Sequence, residues 1–445
     1  MHFSTNIFTH FLVRFALVVV VVVASRGGDG GGNELGRLAL DKILRDAHDI
    51  FGELDEDFST SISTSTLYGH GHGYGYNKYA RWMAGLPDGI PVAHLNIPGT
   101  HDAATWNYTQ TTQDGLSGAT RCDGTTPRPA RVYHCQRISI VGALEAGIRF
   151  FDLRFAFDPL DARLVFWHGP ALLSAAAGVE DVLFGFYDWL DHHPEEMVLL
   201  SFQYERGTRV NATSNATVQR KLFNALTSDA AARYLDQGRG HLGTLGEVRG
   251  KITYPRRPLL QKAARARART TLRIAITDRV LATVLFRRFD MDMLPPEFEE
   301  AMPGLHMAPG KWIDNSRGFE LVYNDTATAG GGGAGTAFIE DFYHPDDYTT
   351  VEENIDAKFE AVETHLRRAA TGDFDSLFVT FTSGTHVEVD PPVYPDVMAL
   401  GSGGGVGINH RLLELLGGMK GERLGVVVMD FFEEPSGLID LLLDF

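Results

Sequence analysis

Five short motifs carry the residue types that could do chemistry. His101 and Asp102 follow Pro98-Gly99-Thr100. Asp152 and Arg154 stand two residues apart in an apolar run. His168 closes the run that ends in Trp167, Gln203 leads into Tyr204-Glu205, and Asp430 ends an apolar run through Met429. Two imidazoles, a guanidinium and several carboxylates suit attack on a phosphate diester. Such a substrate carries a negative charge and a poor leaving group. It needs a base to deprotonate the attacking hydroxyl and an acid to protonate the departing oxygen. Histidine, with an unperturbed pKa of ~6.5, can do either near neutrality. An arginine fork matches phosphate oxygens and stabilises charge that gathers in the transition state. A carboxylate beside each histidine fixes its tautomer.

Residues this far apart in sequence meet only if regular elements bring them together. From residue 90 onward, short apolar runs alternate with helix-period stretches. Strands are expected at 93–97, 148–154, 163–167, 197–203, 250–254, 319–323, 377–382 and 424–430. Helices are expected at 179–193, 215–235, 352–370, 407–417 and 435–443. Continuous apolar strands between amphipathic helices imply a parallel sheet buried on both faces. About eight such units imply an α/β fold of TIM type, a distorted β/α barrel forming a single catalytic domain. Barrel enzymes carry their chemistry at the C-terminal ends of strands, where all the residues above would lie. In a closed barrel the last strand lies beside the first, so Asp430 would stand against His101.

The stretches Leu95-Asn-Ile-Pro-Gly-Thr-His-Asp102, Gly147-Ile-Arg-Phe-Phe-Asp-Leu-Arg154, Trp167-His-Gly-Pro170 and Val427-Val-Met-Asp-Phe431 resemble, in order and spacing, the catalytic X region of phosphatidylinositol-specific phospholipases C. The resemblance runs from about residue 85 to the end. It implies cleavage of phosphatidylinositol or glycosylphosphatidylinositol to diacylglycerol and a cyclic inositol phosphate. It assigns His101 as base, His168 as acid, Asp430 and Asp102 as their supporting carboxylates, and Arg154 as phosphate binder. For substrate recognition it points to Asp152, to Gln203 where relatives have a basic residue, to Arg256 or Arg257 after the fifth strand, and to Asp314 in Lys311-Trp-Ile-Asp-Asn315. Calcium-dependent relatives carry carboxylates on strand 2 and an asparagine after the first histidine. Arg154 and Asp102 in those places resemble the bacterial, metal-independent branch, with no metal and no cofactor. The competing readings are a metal-dependent barrel phosphodiesterase of glycerophosphodiester or sphingomyelinase D type, and a non-catalytic lipid-binding module.

Across its 445 residues the chain is 44% hydrophobic and carries a formal net charge of −17, which argues against a nucleic-acid partner. Arg14, followed by the apolar run 15–24 and small residues, reads as a signal peptide over 1–25 of a secreted protein. Residues 26–84 read as a linker with a short helix, and 85–445 as the catalytic barrel. In an oxidising compartment Cys122 and Cys135 would form one disulfide. Sequons stand at Asn107, Asn211, Asn215 and Asn324. His70 and His72 sit in a Gly/His/Tyr tract, read as a solvated linker. His306, His344 and His386 show no partner in the sequence. The segment 251–273 holds eight basic residues and no acidic one. It is a candidate contact with the membrane that holds the phospholipid substrate.

Overall fold

The computed structural model describes residues 30–53, 78–120, 127–208, 212–236, 242–250, 282–324 and 334–444. Among these, eleven strands form one sheet in the order β7-β6-β5-β2-β1-β11-β10-β9-β8, with β3 and β4 branching from β2. The strands are β1 Ile97–Thr100, β2 Phe150–Phe157, β3 Leu164–His168, β4 Ala171–Leu172, β5 Val198–Tyr204, β6 Thr283–Arg288, β7 Leu305–His306, β8 Phe319–Tyr323, β9 Gly335–Glu340, β10 Leu377–Phe381 and β11 Val426–Met429. Eight of them, β1, β2, β5, β6, β7, β9, β10 and β11, run parallel. Asn324, just past β8, bridges the two ends of the sheet: its N–H donates to His306 O at 3.0 Å, and its Oδ1 accepts from the His306 N–H at 2.7 Å. The result is a nearly closed, distorted β/α barrel.

Side chains alternate along each strand, and both faces are buried. Phe150, Leu199, Val284, Phe286, Ile339, Val379, Val426 and Val428 fill the interior with residues such as Met83 and Leu95 from below. Phe151, Leu153, Leu200, Phe202, Leu285, Val427 and Met429 face outward. There they meet helices such as α2 Val179–His192, α4 Val351–Thr371 and α5 Ile408–Gly417. The expected helix 215–235 is two: α3 Ala216–Leu226 and a second over Asp229–Tyr234, with the Ser228 hydroxyl accepting from Ala231 N–H to start it anew. The last expected helix shortens to α6 Leu438–Leu442.

Several expectations need correction. The first strand lies at Ile97–Thr100, and residues 92–94 make a 3₁₀ turn before it. The run 163–167 is not a barrel stave: β3 folds back antiparallel on β2, and β5 takes the next parallel place. Likewise β8 pairs antiparallel with β9. Strands β4, β6, β7 and β9 have no counterpart among the expected strands, and the expected strand at 250–254 lies almost wholly outside the described residues. So do the apolar leader, His70, His72 and the basic segment.

Within the segment 26–84, read as a linker with a short helix, lies α1 Gly30–Phe51. Its buried Ala47, Ile50 and Phe51 pack on α2, with Phe51 and Phe186 edge to face at 5.4 Å. Gly185 permits this approach, because a Cβ there would lie 2.7 Å from the Phe51 ring. At the barrel floor, fully buried Arg149 pairs with Glu196 at 2.8 Å and donates to the carbonyls of Tyr79 and Ala80, tying that segment to the sheet.

Candidate active site

The alternation that fills the interior with apolar side chains turns polar at the mouth. Inward positions two residues beyond Gly99, Asp152, Ser201, Phe286, Ile339 and Val428 are His101, Arg154, Gln203, Arg288, Asp341 and Asp430. Register places Arg154 beside Gln203 and Gln203 beside Arg288. The parallel pairing of β1 with β11 carries His101 to Asp430.

His101 Nδ1 lies 2.8 Å from Asp430 Oδ1. On its other side, Arg154 Nη2 donates to His101 Nε2 at 2.8 Å. An arginine N–H can only donate, so the neutral ring carries its hydrogen on Nδ1 and keeps a lone pair on Nε2, the arrangement a general base needs. Asp102 takes a left-handed conformation with φ 41°, costly for a non-glycine residue. That turn aims its carboxylate back into the mouth, where Oδ2 lies 3.2 Å from His101 Nε2 and 3.3 Å from His168 Nε2. His168 comes from the β2–β3 hairpin. Its Nδ1 faces the carbonyl of Tyr133 at 3.1 Å, which leaves Nε2 as the atom that can deliver a proton. The two rings stand 6.2 Å apart, edge to face.

Charge is balanced tightly. Arg154 Nε lies 3.1 Å from Asp152 Oδ2 and 3.2 Å from Asp102 Oδ1. Burial alone would lower the proton affinity of His101, but Asp430 and Asp102 outweigh it and the pKa rises. For His168, burial dominates over Asp102, and Arg154 and His101 add to it, so the pKa falls. In the free site the proton therefore prefers His101. Burial, only partly opposed by Arg154, pushes Glu205 up to about 7. Arg288 lies over the Trp312 ring at 3.7 Å, and Trp312 Nε1 donates to Asp341 Oδ2 at 2.7 Å. Tyr343 donates its hydroxyl to Asp314. These groups line a cavity of about 990 Å³.

A metal fits poorly at this centre. His101, Asp102 and Cys135 bring potential ligand atoms within 4.8 Å of one another, but Arg154 already presents its cation to His101 and Asp102. Burial also raises the Cys135 thiol well above its usual range, against the thiolate a metal needs.

No family model matches the chain. Solved structures of phosphatidylinositol-specific phospholipase C from Staphylococcus aureus superpose with a TM-score of 0.56 over 82% of this chain and 97% of theirs, at 19% identity. The enzyme from Listeria monocytogenes gives 0.51 over the same share of this chain, again at 19% identity. The fold is that of the phosphatidylinositol-specific phospholipases C. Sequence similarity points the same way. The chain is 32% identical over 145 residues to the zebrafish (Danio rerio) PI-PLC X domain-containing protein 3, covering 30% of this chain and 44% of the relative. It is 30% identical over 172 residues to the 1-phosphatidylinositol phosphodiesterase of Listeria monocytogenes, covering 39% and 47%. The chain thus spans less than half the length of these curated relatives.

Within this phospholipase C-like fold, His101, Asp102, Arg154, His168, Gln203, Asp314 and Asp430 come together around one mouth. Asp152 does not reach the cavity: fully buried, it sits beneath Arg154 and Arg288 and positions them. Arg256 and Arg257 lie outside the described residues. The arginine at the end of the strand after β5 is Arg288, and the signal that marks it is the alternation Val284-Phe286-Arg288 running on from Val-Leu-Phe. Glu205, Trp312, Asp341 and Tyr343 also belong to the lining. His94 lies on the 3₁₀ turn before β1 rather than in a strand. His193 is the C-cap of the helix Val179–His192, buried and stacked on Trp189 at 4.0 Å, and burial brings its pKa down to about 4. Cys135 is buried and unpaired, and Cys122 lies outside the described residues. Among the sequons, Asn107 is exposed, Asn215 caps α3, Asn324 is buried at the barrel seam, and Asn211 lies outside the described residues.

Proposed function

We propose that the chain is a metal-independent phosphodiesterase that cleaves phosphatidylinositol or glycosylphosphatidylinositol by histidine acid–base catalysis. One observation carries the reading: two imidazoles of opposite readiness, His101 on Asp430 and His168 on the Tyr133 carbonyl, turn their Nε2 atoms toward the same carboxylate beside a fixed guanidinium. His101 Nε2 takes the proton of the inositol 2-hydroxyl as that oxygen bonds to phosphorus. The bond from phosphorus to the glycerol oxygen breaks, and His168 Nε2–H protonates that oxygen. The products are diacylglycerol and a cyclic inositol phosphate. Arg154 neutralises the phosphate, and the bound phosphate's charge draws a proton onto His168 and restores the required pairing. Arg288 and Asp314 offer donor and acceptor to the inositol hydroxyls.

Purified protein is tested on phosphatidylinositol vesicles with excess EDTA beside His101→Ala, and products are followed by ³¹P NMR. A cyclic phosphate signal that survives EDTA and disappears in the variant is expected. Turnover only with added Ca²⁺ or Mg²⁺ would sink the metal-free mechanism. The reading includes export through a signal peptide over 1–25, checked by N-terminal sequencing of protein recovered from culture medium. It also includes peripheral membrane contact through 251–273. Exchanging Arg265, Arg267 and Arg269 for Gln is expected to weaken binding to anionic vesicles.

A further inference from the structure

A second cluster of ligand-type side chains stands on the rim, outside the acid–base centre. His344 follows β9, while His386 and Glu388 follow β10. Their potential ligand atoms all lie within 4.8 Å of one another. The two loops are joined by their backbones where Thr385 N–H donates to Tyr343 O at 2.8 Å, and within the second loop His386 exchanges two backbone hydrogen bonds with Val393. The imidazoles are also oriented from behind. Asn354 is fully buried and its amide nitrogen donates to Thr350 O at 2.8 Å, so its Oδ1 accepts from His386 Nδ1–H at 2.8 Å. That fixes the tautomer and leaves a lone pair on His386 Nε2. His344 Nδ1 bonds to Asp346, and its Nε2 faces Glu388 Oε2 at 3.1 Å. Arg128 holds the other Glu388 oxygen at 2.6 Å.

We propose that His344, His386 and Glu388 form a zinc-type divalent metal site at the rim of the cavity. Two imidazole nitrogens and one carboxylate oxygen, with water as fourth ligand, make a familiar tetrahedral zinc set. At bond lengths of ~2.0–2.1 Å, tetrahedral ligand atoms stand about 3.3 Å apart, close to the 3.1 Å between His344 and Glu388. Asp346 and Asn354 play the outer role typical of metal-bound histidines, each taking the second ring N–H. The ion replaces the proton held between His344 Nε2 and Glu388. It clamps the two loops that present Tyr343 and Thr385 to the cavity. This site is independent of the reaction proposed above.

The test is competition between EDTA-stripped, dialysed full-length protein and a chromophoric chelator for Zn²⁺, run on wild type, His386→Ala and Glu388→Gln. Thermal melts with and without Zn²⁺ accompany it. Outer partners of a metal site are worth ~10–100-fold in affinity, so loss of a ligand is expected to cost ~100-fold or more. One tight equivalent should vanish in each variant, and the zinc-dependent rise in Tm should vanish with it. Glu388 is exposed and Gln has its shape, so this variant carries the comparison even where His386→Ala lowers the metal-free Tm. Wild-type protein without tight zinc, or variants that keep the wild-type stoichiometry and affinity, would overturn the proposal. The latter result would place zinc at the catalytic centre or in the tract around His70 and His72.

Discussion

Asp430→Asn is the perturbation that tests the acid–base assignment most directly. The 2.8 Å contact between Asp430 Oδ1 and His101 Nδ1 is buried, and the variant leaves size and packing unchanged. If the amide nitrogen turns toward His101, Nδ1 must accept and the hydrogen moves to Nε2. That puts a ring N–H against Arg154 Nη2, now 2.8 Å away, and removes the lone pair the base needs. Replacing an orienting carboxylate by its amide in such a pair costs on the order of 10⁴-fold. With the Asn oxygen able to face the ring part of the time, the expected loss in kcat/KM is ~10³–10⁴-fold, or about 4–5.5 kcal/mol of transition-state stabilisation. The pH profile gives a second readout. Reaction needs His101 neutral and His168 protonated, yet the pKa of His101 is raised and that of His168 lowered. The reactive form is thus a minority whose share is constant between the two macroscopic pKa values. It falls below the lower value, where both rings are charged, and above the upper, where both are neutral. Asp430 supports the upper value, so the variant's alkaline limb should move to lower pH. Vesicle turnover across pH and ¹⁵N NMR of the ring nitrogens measure both effects. A loss below tenfold with the alkaline limb unmoved would refute the assignment of His101 as the Asp430-oriented base.

Other outcomes follow from the same geometry. Arg154→Lys keeps the charge but loses the fork, and kcat/KM should fall ~10²–10³-fold with little change in urea stability. Arg154→Met strands Asp102, Asp152 and Glu205, and urea melts should show a loss of ~3–5 kcal/mol. Arg288→Ala removes a charged hydrogen-bond donor from substrate recognition, so KM should rise ~10–100-fold while kcat changes by a few-fold at most. Glu205 has a folded pKa raised to about 7. The folded state therefore binds more protons than the unfolded one between roughly pH 4.3 and 7, and stability drains away as pH rises through that window. Glu205→Gln should flatten this dependence and melt higher than wild type at pH 8. Gly185→Ala drives a Cβ into the Phe51 ring, so Tm should fall by the equivalent of ~1–3 kcal/mol with turnover per folded molecule retained.

The proposed catalytic set was legible because it sits in local patterns that a strand end imposes: Pro-Gly-Thr-His-Asp, Asp-Leu-Arg, and Val-Val-Met-Asp. Neighbouring residues of those motifs land on one face by simple alternation. Arg288 was not legible, because its strand had to be recognised first, and β6 competed with Gly-Lys-Ile-Thr-Tyr for the same place in the barrel. The direction of β3 and β8 was equally hidden. A buried apolar run looks the same whether its neighbour is parallel or antiparallel, and only pairing decides. The role of Asp152 depended on depth: its spacing from Arg154 shows a shared face, but not that it lies one layer lower. The partners of His344 and His386 come from Glu388, Asp346 and Asn354 across two loops, with no periodicity to announce them.

The contact between His101 and Asp430 spans 329 residues of sequence. Polypeptides grow at ~5–20 residues per second, so on the order of 15–65 s separate the synthesis of the two partners. Through that interval β1 lacks the neighbour that closes its edge, and the base lacks the carboxylate that sets its tautomer. Non-local pairings of this length also form slowly. On the proposed mechanism the arrangement acts as a delay: until β11 docks beside β1, His101 has no Asp430 carboxylate to orient it.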